Sequence, residues 1–142
     1  MTDIIITEPN RLTSLEGLEG HPSLKNVDLA FTHRIQDFSA LAQMPALRQL
    51  TLHGLNQLTD LTPLPGLPYV ERLVIASCPN LRTLGAPDLP SWRSLSLYHC
   101  PSLVDLGEIP DLPACAKVSI QGCPGLPDST VAVLRARGIT VR

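Results

Sequence analysis

The stretch WRSLSLYHCPSLVDLGEIPDLP, residues Trp92–Pro113, decides the fold of this chain. Two preceding stretches repeat its pattern: VERLVIASCPNLRTLGAPDLP spans Val70–Pro90, and LRQLTLHGLNQLTDLTPLPGLP spans Leu47–Pro68. Each opens with the frame L-x-x-L-x-L or a close variant of it. The frame starts at residues 1, 24, 47, 70, 92 and 115, so successive starts lie 22 or 23 residues apart. A fixed period of this length predicts an array of equivalent coils of chain stacked on one another.

Each frame predicts one short β-strand. Its fourth and sixth positions are aliphatic in every repeat: Ile4, Val27, Leu50, Leu73, Leu95 and Val118, then Ile6, Leu29, Leu52, Ile75, Leu97 and Ile120. The residues between and beside them vary, which gives the period of two that is typical of a strand with one buried face. Six equivalent strands, each followed by a long return segment, must run parallel.

The return segments carry polar and proline signals. Position fourteen holds a side chain that can accept hydrogen bonds from the free N–H groups of a helix start. These residues are Ser14, Asp37, Asp60, Thr83 and Asp105. A proline also stands two residues before each of the last five frames, at Pro22, Pro45, Pro68, Pro90 and Pro113. Its fixed φ suits an extended approach to the strand. We therefore expect short 3₁₀ or α turns in the return segments.

The C-terminal segment predicts a cap for the last repeat. Asp128 is a candidate N-cap, arginines follow near the end of the segment, and Gly138 fits the C′ position of a helix. Ile139–Val141 then predicts a seventh short strand. We assign residues 127–142 to this cap, because a stacked array must cover its open end.

The N-terminal end shows no comparable cap in the sequence, since Met1 already stands at the first position of a frame. An unpaired edge strand with exposed aliphatic surface would result. Two explanations stay open. In the first, the shortness of the strand, the charge of Glu8 and the missing N–H of Pro9 protect the edge from pairing with another chain. In the second, an N-terminal domain, covalently linked or associated, covers it.

The repeat frame resembles the leucine-rich repeat family along the whole chain. The stretch Leu58–Ile75 (LTDLTPLPGLPYVERLVI) is similar to the bacterial internalin-like subclass. The phrases CPNL, CPSL and CPGL, which begin at Cys78, Cys100 and Cys123, are similar to repeats attached to NACHT or NB-ARC immune ATPases. The resemblance implies one α/β domain over residues 1–142, a horseshoe-like solenoid with its parallel sheet on the concave face. The convex face would carry the short turns, and a helix would cap the C-terminus.

Composition narrows the classes of function. The net charge is −2, so the concentrated basic excess of a nucleic-acid-binding protein is missing. No apolar run is long enough to span a bilayer, which argues against a membrane role. The first residues, MTDIIITEPN, are acidic and hold a short apolar run, unlike a signal peptide. The sequence therefore predicts a cytoplasmic protein.

Three cysteines recur at position nine of successive repeats: Cys78, Cys100 and Cys123. A parallel ladder places them in a line, about 5 Å apart, whereas a zinc site needs four ligands converging on a tetrahedron. We predict a column of small buried side chains and no metal or cofactor. Spacing alone does not exclude a disulfide, although cytosolic chains rarely form one. Cys115, at the first position of its frame, is predicted to be a core residue.

Histidine and serine residues near the strands do not form a catalytic pattern. His53 and His99 lie two repeats apart, about 10 Å, and cannot share one zinc ion. Ser94 and Ser96 precede His99, but no orienting acid or oxyanion site accompanies them. We predict that the chain is not an enzyme, and a thiol-dependent or hydrolytic enzyme is the alternative from another class.

Function is expected in the variable positions three, five and seven, because strand alternation places them on the open face of the sheet. Arg72, Tyr98 and the neighbouring His99 are the strongest candidates, since Arg and aromatic side chains often anchor interfaces. Phe31 flanks the same face. The predicted binding residues are Asn26, Asp28, Gln49, Thr51, His53, Arg72, Ser94, Ser96, Tyr98, His99, Lys117, Ser119 and Gln121.

Charge is divided between the two sides of the array. Positions thirteen to twenty carry the acids Glu16, Glu19, Asp37, Asp60, Asp88, Asp105, Glu108 and Asp111, with Arg82 the one base. The strand side is near neutral or slightly basic, which favours a mildly acidic partner surface. We predict a non-catalytic module that binds a protein or peptide on the concave face. The alternative is the sensor or autoinhibitory end of a NACHT-type immune ATPase.

Overall fold

A computed structural model describes residues 3–7, 14–15, 17–18, 21–32, 34–62, 64, 66–85, 90–106, 117–138 and 140–141. Several residues named in the predictions above lie outside these ranges. They are Met1, Glu8, Pro9, Glu16, Glu19, Asp88, Glu108, Asp111, Pro113, Cys115 and Ile139.

The strands form one parallel sheet in chain order. They are β1 (Asp3–Thr7), β2 (Asn26–Ala30), β3 (Gln49–His53), β4 (Arg72–Ala76), β5 (Ser94–Tyr98), β6 (Lys117–Gln121) and β7 (Thr140–Val141). Equivalent repeat positions pair directly, so Leu50 lies beside Leu73 and Leu73 lies beside Leu95. This register confirms the predicted parallel sheet, because each of the six repeats contributes its positions three to seven to the sheet.

Aliphatic columns fill the interior of the array. In β2 to β6 the side chains at positions four and six are 0–8% exposed. Later positions of the repeat add further buried columns, one of which contains Ile35, Leu58 and Leu81. Burying one such side chain stabilises the fold by about 1.5–3 kcal/mol. The equivalent residues of β1, Ile4 and Ile6, are only partly buried, so the first layer is less completely covered than the rest.

Two of the prolines before the strands lie in tight turns rather than in extended approaches. The Leu47 N–H donates to the Met44 carbonyl at 3.1 Å, and Pro45 is the second residue of that turn. Pro68 occupies the same place in the turn that the Val70 N–H closes on the Leu67 carbonyl. The locked φ of proline is suited to this turn position, which explains the difference from the predicted extended approach.

Position fourteen accepts backbone hydrogen bonds in three return segments, as predicted, but it is not the N-cap of a helix: the N-cap of the 3₁₀ helix in the second repeat is Phe38. The Asp37 carboxylate accepts a hydrogen bond from the Ser39 N–H at 2.9 Å, where a 3₁₀ helix (Ser39–Gln43) begins. Hydrogen bonds from Ser39 lower the pKa of Asp37. Asp60 and Thr83 accept in the same way from the N–H groups of Thr62 and Gly85. Side-chain acceptors at this position thus bind the N–H group two residues later in each of these three segments.

Position fourteen also joins neighbouring repeats through the backbone, which the sequence did not predict. Ser14 forms a parallel bridge with Asp37, and Thr83 forms one with Asp105. The Arg82 N–H donates to the Thr59 carbonyl at 2.9 Å. The return segments are therefore held together by their own short ladder.

The C-terminal helix α1 spans Asp128–Ala136, but its N-cap is Pro127 and not Asp128. Pro127 has extended dihedral angles and begins the helix, so Asp128 falls in the first turn, where its charge favours the positive end of the helix dipole. Gly138 has φ +82° and its N–H donates to the Arg135 carbonyl, as predicted for C′. Leu134 is the buried side chain of α1. The helix therefore packs Leu134 onto the last layer.

Candidate functional site

The open face is the surface formed by positions three, five and seven of β1 to β6. Strand alternation turns positions four and six inward and leaves the open-face side chains of β2 to β6 half-buried or exposed, except the buried Ala30. The predicted residues that the structure places on this face are Asn26, Asp28, Gln49, Thr51, His53, Arg72, Ser94, Ser96, Tyr98, Lys117, Ser119 and Gln121. His99 stands at the edge of the face, just after β5.

The three strongest candidates do not form one cluster. Arg72 begins β4, whereas Tyr98 ends β5. Four residues of strand separate these two levels, which is about 13 Å. Tyr98 instead shares its level with His53, two strands away and about 10 Å distant. The face therefore presents separate contacts distributed over a surface rather than one concave centre.

Position eight, directly after each strand, adopts the left-handed backbone conformation. The φ values are 59° for Phe31, 68° for Gly54, 53° for Ser77, 53° for His99 and 71° for Gly122. The position-eight N–H continues the ladder, because the Phe31 N–H donates to the His53 carbonyl and the His99 N–H donates to the Gln121 carbonyl, both at 2.8 Å. A bulky side chain in this conformation is strained and persists only where its surroundings fix it.

Two of these side chains lie over a glycine of the next repeat. A Cβ atom on Gly54 would approach the Phe31 ring to within 2.4 Å, and one on Gly122 would approach Nδ1 of His99 to 2.5 Å. The Phe31 ring also contacts the His53 ring, with centroids 4.9 Å apart. Phe31 and His99 both remain exposed. Phe31 was not among the predicted binding residues, although the pairing of a bulky residue with a following glycine could have indicated it.

No catalytic arrangement unites the serine and histidine candidates. Ser94 and Ser96 lie on the open face, and three residues of strand separate Ser96 from His99, about 10 Å. The His99 ring extends over Gly122 of the next repeat. Among the residues that the structure describes, no group of three His, Cys, Asp or Glu side chains could hold a metal ion.

The cysteine column is buried, as predicted. Cys78, Cys100 and Cys123 are free thiols, and each Sγ lies 3.5–3.7 Å from the carbonyl oxygen two residues earlier. Burial raises the pKa of Cys78. A hydrogen bond between the two sulfur atoms raises the pKa of Cys100 and lowers the pKa of Cys123 to about 7. These thiols pack inside the array and do not line the open face.

Residues 22–66, which contain β2, β3 and the 3₁₀ helix, match a family model described as Leucine Rich repeats (2 copies). The fold is a leucine-rich-repeat solenoid. Comparison with curated proteins gave no match, and comparison with solved structures gave none. Within the described ranges, no helix is long and apolar enough to cross a membrane.

Proposed function

We propose that this leucine-rich-repeat solenoid is a non-catalytic module that binds a protein or peptide on its open face. One observation carries the proposal: a sheet in perfect register holds polar and aromatic side chains that the core does not use. The main chain beneath them is hydrogen-bonded on both sides from β2 to β6. A rigid scaffold of this kind lets a partner bind without first ordering the surface.

The size of the face favours a peptide or a small epitope. Six strands measure about 24 Å across the sheet, and five residues of strand measure about 16 Å. The product, about 400 Å², is roughly half of what each partner buries in a standard protein–protein interface. Arg72, Tyr98 and His99 are the proposed anchors, with Phe31 extending the surface at its edge.

The experiment uses a random dodecapeptide library displayed on phage and selected on the purified chain. The double variant Arg72→Ala/Tyr98→Ala removes two proposed anchors. Arg48→Ala/Tyr69→Ala is the matched control, because the Arg48 guanidinium lies 5.4 Å from the centre of the exposed Tyr69 ring, outside the open face. We expect the first double variant to lose roughly tenfold or more in affinity for selected peptides, and the control to keep it. Equal loss in both variants, or in neither, would contradict the proposal.

An alternative from the resemblance is the sensor or autoinhibitory end of a NACHT-type immune ATPase. Its motivation is the C-P-x-L phrase, in which the Leu81, Leu103 and Leu126 N–H groups close turns on the cysteine carbonyls. This alternative predicts a nucleotide-binding domain in the same chain or a neighbouring gene, contacting the β1 end of the sheet. Cross-linking of that domain to β1 would favour this alternative. If that domain competes with the selected peptides for binding, then both proposals hold, because the domain and the peptides bind the same open face.

A cytoplasmic location and the absence of catalysis complete the proposal. Cys78, Cys100 and Cys123 are free thiols, which is typical of a reducing compartment. The separation of Ser96 from His99 argues against a hydrolytic site. A hydrolysis screen with ester and peptide substrates that shows activity abolished by Ser96→Ala would contradict the non-catalytic assignment.

A further inference from the structure

Charge on the open face is sorted by strand. The carboxylates and permanent cations that the described part of this face carries are Asp3 on β1, Asp28 on β2, Arg72 on β4 and Lys117 on β6. Both acids thus lie toward one end of the sheet and both bases toward the other. The strand between the two groups, β3, contributes no carboxylate, lysine or arginine to the face. The net charge of the face is zero, but its charge distribution is polarised.

Most of this charge is not neutralised within the chain. The side chains of Arg72 and Lys117 are exposed. Their backbone N–H groups donate to the Arg48 and Arg93 carbonyls, but neither side chain forms an ion pair or hydrogen bond with another residue that the structure describes. Oδ1 of Asp28 is buried without a hydrogen-bond donor in the same part of the chain. A buried carboxylate oxygen without a donor raises the free energy of the folded chain. A cation that binds the Asp28 carboxylate would offset part of this cost. Asp3 accepts one hydrogen bond, from Nδ2 of Asn26.

The two ends of the face are far enough apart to act separately. Neighbouring strands lie about 4.8 Å apart, so β2 and β4 are about 10 Å apart and β2 and β6 about 19 Å. Screening at physiological ionic strength operates over about 8 Å. A partner therefore meets an anionic patch over β1 and β2 and a cationic patch over β4 to β6, and the two do not cancel.

We propose, building on the binding function above, that the partner is an extended peptide segment that crosses the strands with polarised charge. A Lys or Arg of the segment lies over Asp3 and Asp28, and Asp or Glu residues lie over Arg72 and Lys117. An extended chain advances about 3.3 Å per residue, so 10 Å corresponds to about three residues and 19 Å to about six. The recognised pattern is a base, an acid three residues away, and a second acid three residues beyond it.

Charge complementarity selects this partner over the alternatives. A uniformly acidic peptide or a nucleic acid would place negative charge against Asp3 and Asp28, and a uniformly basic peptide would place positive charge against Arg72 and Lys117. Like charges held opposite one another suppress wrong partners, whereas a polarised segment satisfies both ends. The overall charge of the strand side predicts only a mildly acidic partner surface. The charge pattern of the open face predicts a narrower class of partner, a peptide with a base at one end and acids at the other.

The test examines the peptides that the phage selection enriches and then exchanges charges. A selected peptide and its variants are measured by fluorescence anisotropy against wild type, Arg72→Glu, Asp28→Lys and the control Arg82→Glu, which changes an exposed arginine of the return segments. We expect enriched sequences to carry the base and the acids at the stated spacing. Arg72→Glu should weaken binding roughly tenfold, and a peptide with its first acid changed to Lys should restore it. Arg82→Glu should leave the affinity unchanged.

The outcomes separate this proposal from the one on which it rests. Peptides that need Tyr98 and Arg72 but show no charge pattern would overturn the polarised partner and keep the binding function. The same holds if Arg72→Glu is not rescued by the charge-exchanged peptide. A library with no enriched peptide, or with peptides indifferent to Arg72→Ala/Tyr98→Ala, would overturn both.

Discussion

Position eight shows how a single residue is controlled by the neighbouring coil. Phe31, Ser77 and His99 adopt positive φ values that an L-residue disfavours by about 1–2 kcal/mol each. The hydrogen bonds that their N–H groups donate to the next repeat fix this conformation. Gly54 and Gly122 meet the same backbone requirement without strain and also leave space for the side chains of Phe31 and His99. Position eight thus has a positive φ in each of these repeats, and only its side chain differs from one repeat to the next.

The first prediction concerns Gly54→Ala. The new Cβ would lie within 2.5 Å of the Phe31 ring and would also impose a positive φ on alanine. Gly85→Ala is the matched control, because Gly85 has φ +65° but none of the residues that the structure describes lies within 4 Å of the new Cβ. We expect Gly85→Ala to lower the free energy of unfolding by about 1 kcal/mol. Gly54→Ala should lower it by a further 1–3 kcal/mol or so, measured by urea denaturation.

The contact with Phe31 can be isolated in a double-mutant cycle. In the Phe31→Ala background the ring is absent, so Gly54→Ala should cost about as much as Gly85→Ala does, about 1 kcal/mol. If Gly54→Ala costs the same with and without the ring, then the Phe31 ring does not lie over Gly54 in solution.

The second prediction concerns the thiol of Cys123, whose pKa is lowered to about 7 by a hydrogen bond with Cys100. Iodoacetamide should modify Cys123 before Cys78 and Cys100, with a rate that rises through about pH 7. Cys100→Ala removes the hydrogen bond, so the pH of half-maximal rate should move toward the ordinary thiol value of about 8.5. Mass spectrometry of the labelled peptides measures the rate of modification at each cysteine. Cys78→Ala is the control, and an equal shift there would contradict the assignment.

The same pKa shifts affect stability with opposite signs. Folding lowers the pKa of Cys123, so its contribution to stability is present above about pH 8.5. It is lost as the pH falls through about 7. Folding raises the pKa of Cys78 and Cys100, so their contribution is present below about pH 8.5 and is lost as the pH rises further.

At the scale of elements, the strands could be predicted and the turns only in part. The alternation of positions four and six determines the register, because a slip of one residue would expose every aliphatic side chain. The sequence predicts the roles of the prolines and of Asp128 from their immediate neighbours in the chain, and it does not show what packs around them. The structure instead places Pro45 and Pro68 in tight turns and makes Pro127 the N-cap of α1. The conformation of a turn and the residue at which a helix begins depend on contacts with neighbouring coils. The sequence of one segment does not show these contacts.

The third prediction concerns α1 as the cover of the last layer. Leu134 is 8% exposed and packs on the core, whereas Val133, beside it on the helix, is 54% exposed. We expect Leu134→Ala to lower the free energy of unfolding by about 2–3 kcal/mol. Val133→Ala should change it by less than about 0.5 kcal/mol. Thermal denaturation followed by circular dichroism measures both, and similar effects would mean that α1 does not dock through Leu134.

At the scale of the whole molecule, stability depends on contacts between successive coils. Each strand from β2 to β6 pairs with two neighbours in the sheet, so interior coils are supported on both sides. The open-face positions could be predicted as a set, because they are what remains after the core positions are assigned. The sorting of charge along that face has no packing cause and becomes visible only when the strands are placed in order. The binding specificity that we propose therefore depends on the order of the coils.

The fourth prediction concerns the first coil. Within the described residues, β1 pairs with β2 alone, Ile5 is 68% exposed, and Ile4 and Ile6 are partly buried. We expect the β1 amides to exchange with deuterium faster than those of β3 and β4, since edge elements open at lower free energy. A second copy of Leu47–Tyr69 fused before residue 1 keeps the period of the array. It should slow exchange in β1 and raise the free energy of unfolding by about 2 kcal/mol, because it buries Ile4 and Ile6.

A Gly/Ser segment of equal length at the same place is the control, and it should leave β1 exchange unchanged. Stabilisation by both fusions would indicate a general effect of added chain. If the added repeat folds and β1 exchange does not slow, the outer edge of β1 is not available for pairing. The coils would then not be interchangeable units, and an N-terminal domain could not dock by extending the sheet. Protection that spreads from the new repeat into β1 would show that the array adds coils at this end by the same contacts that hold its interior together.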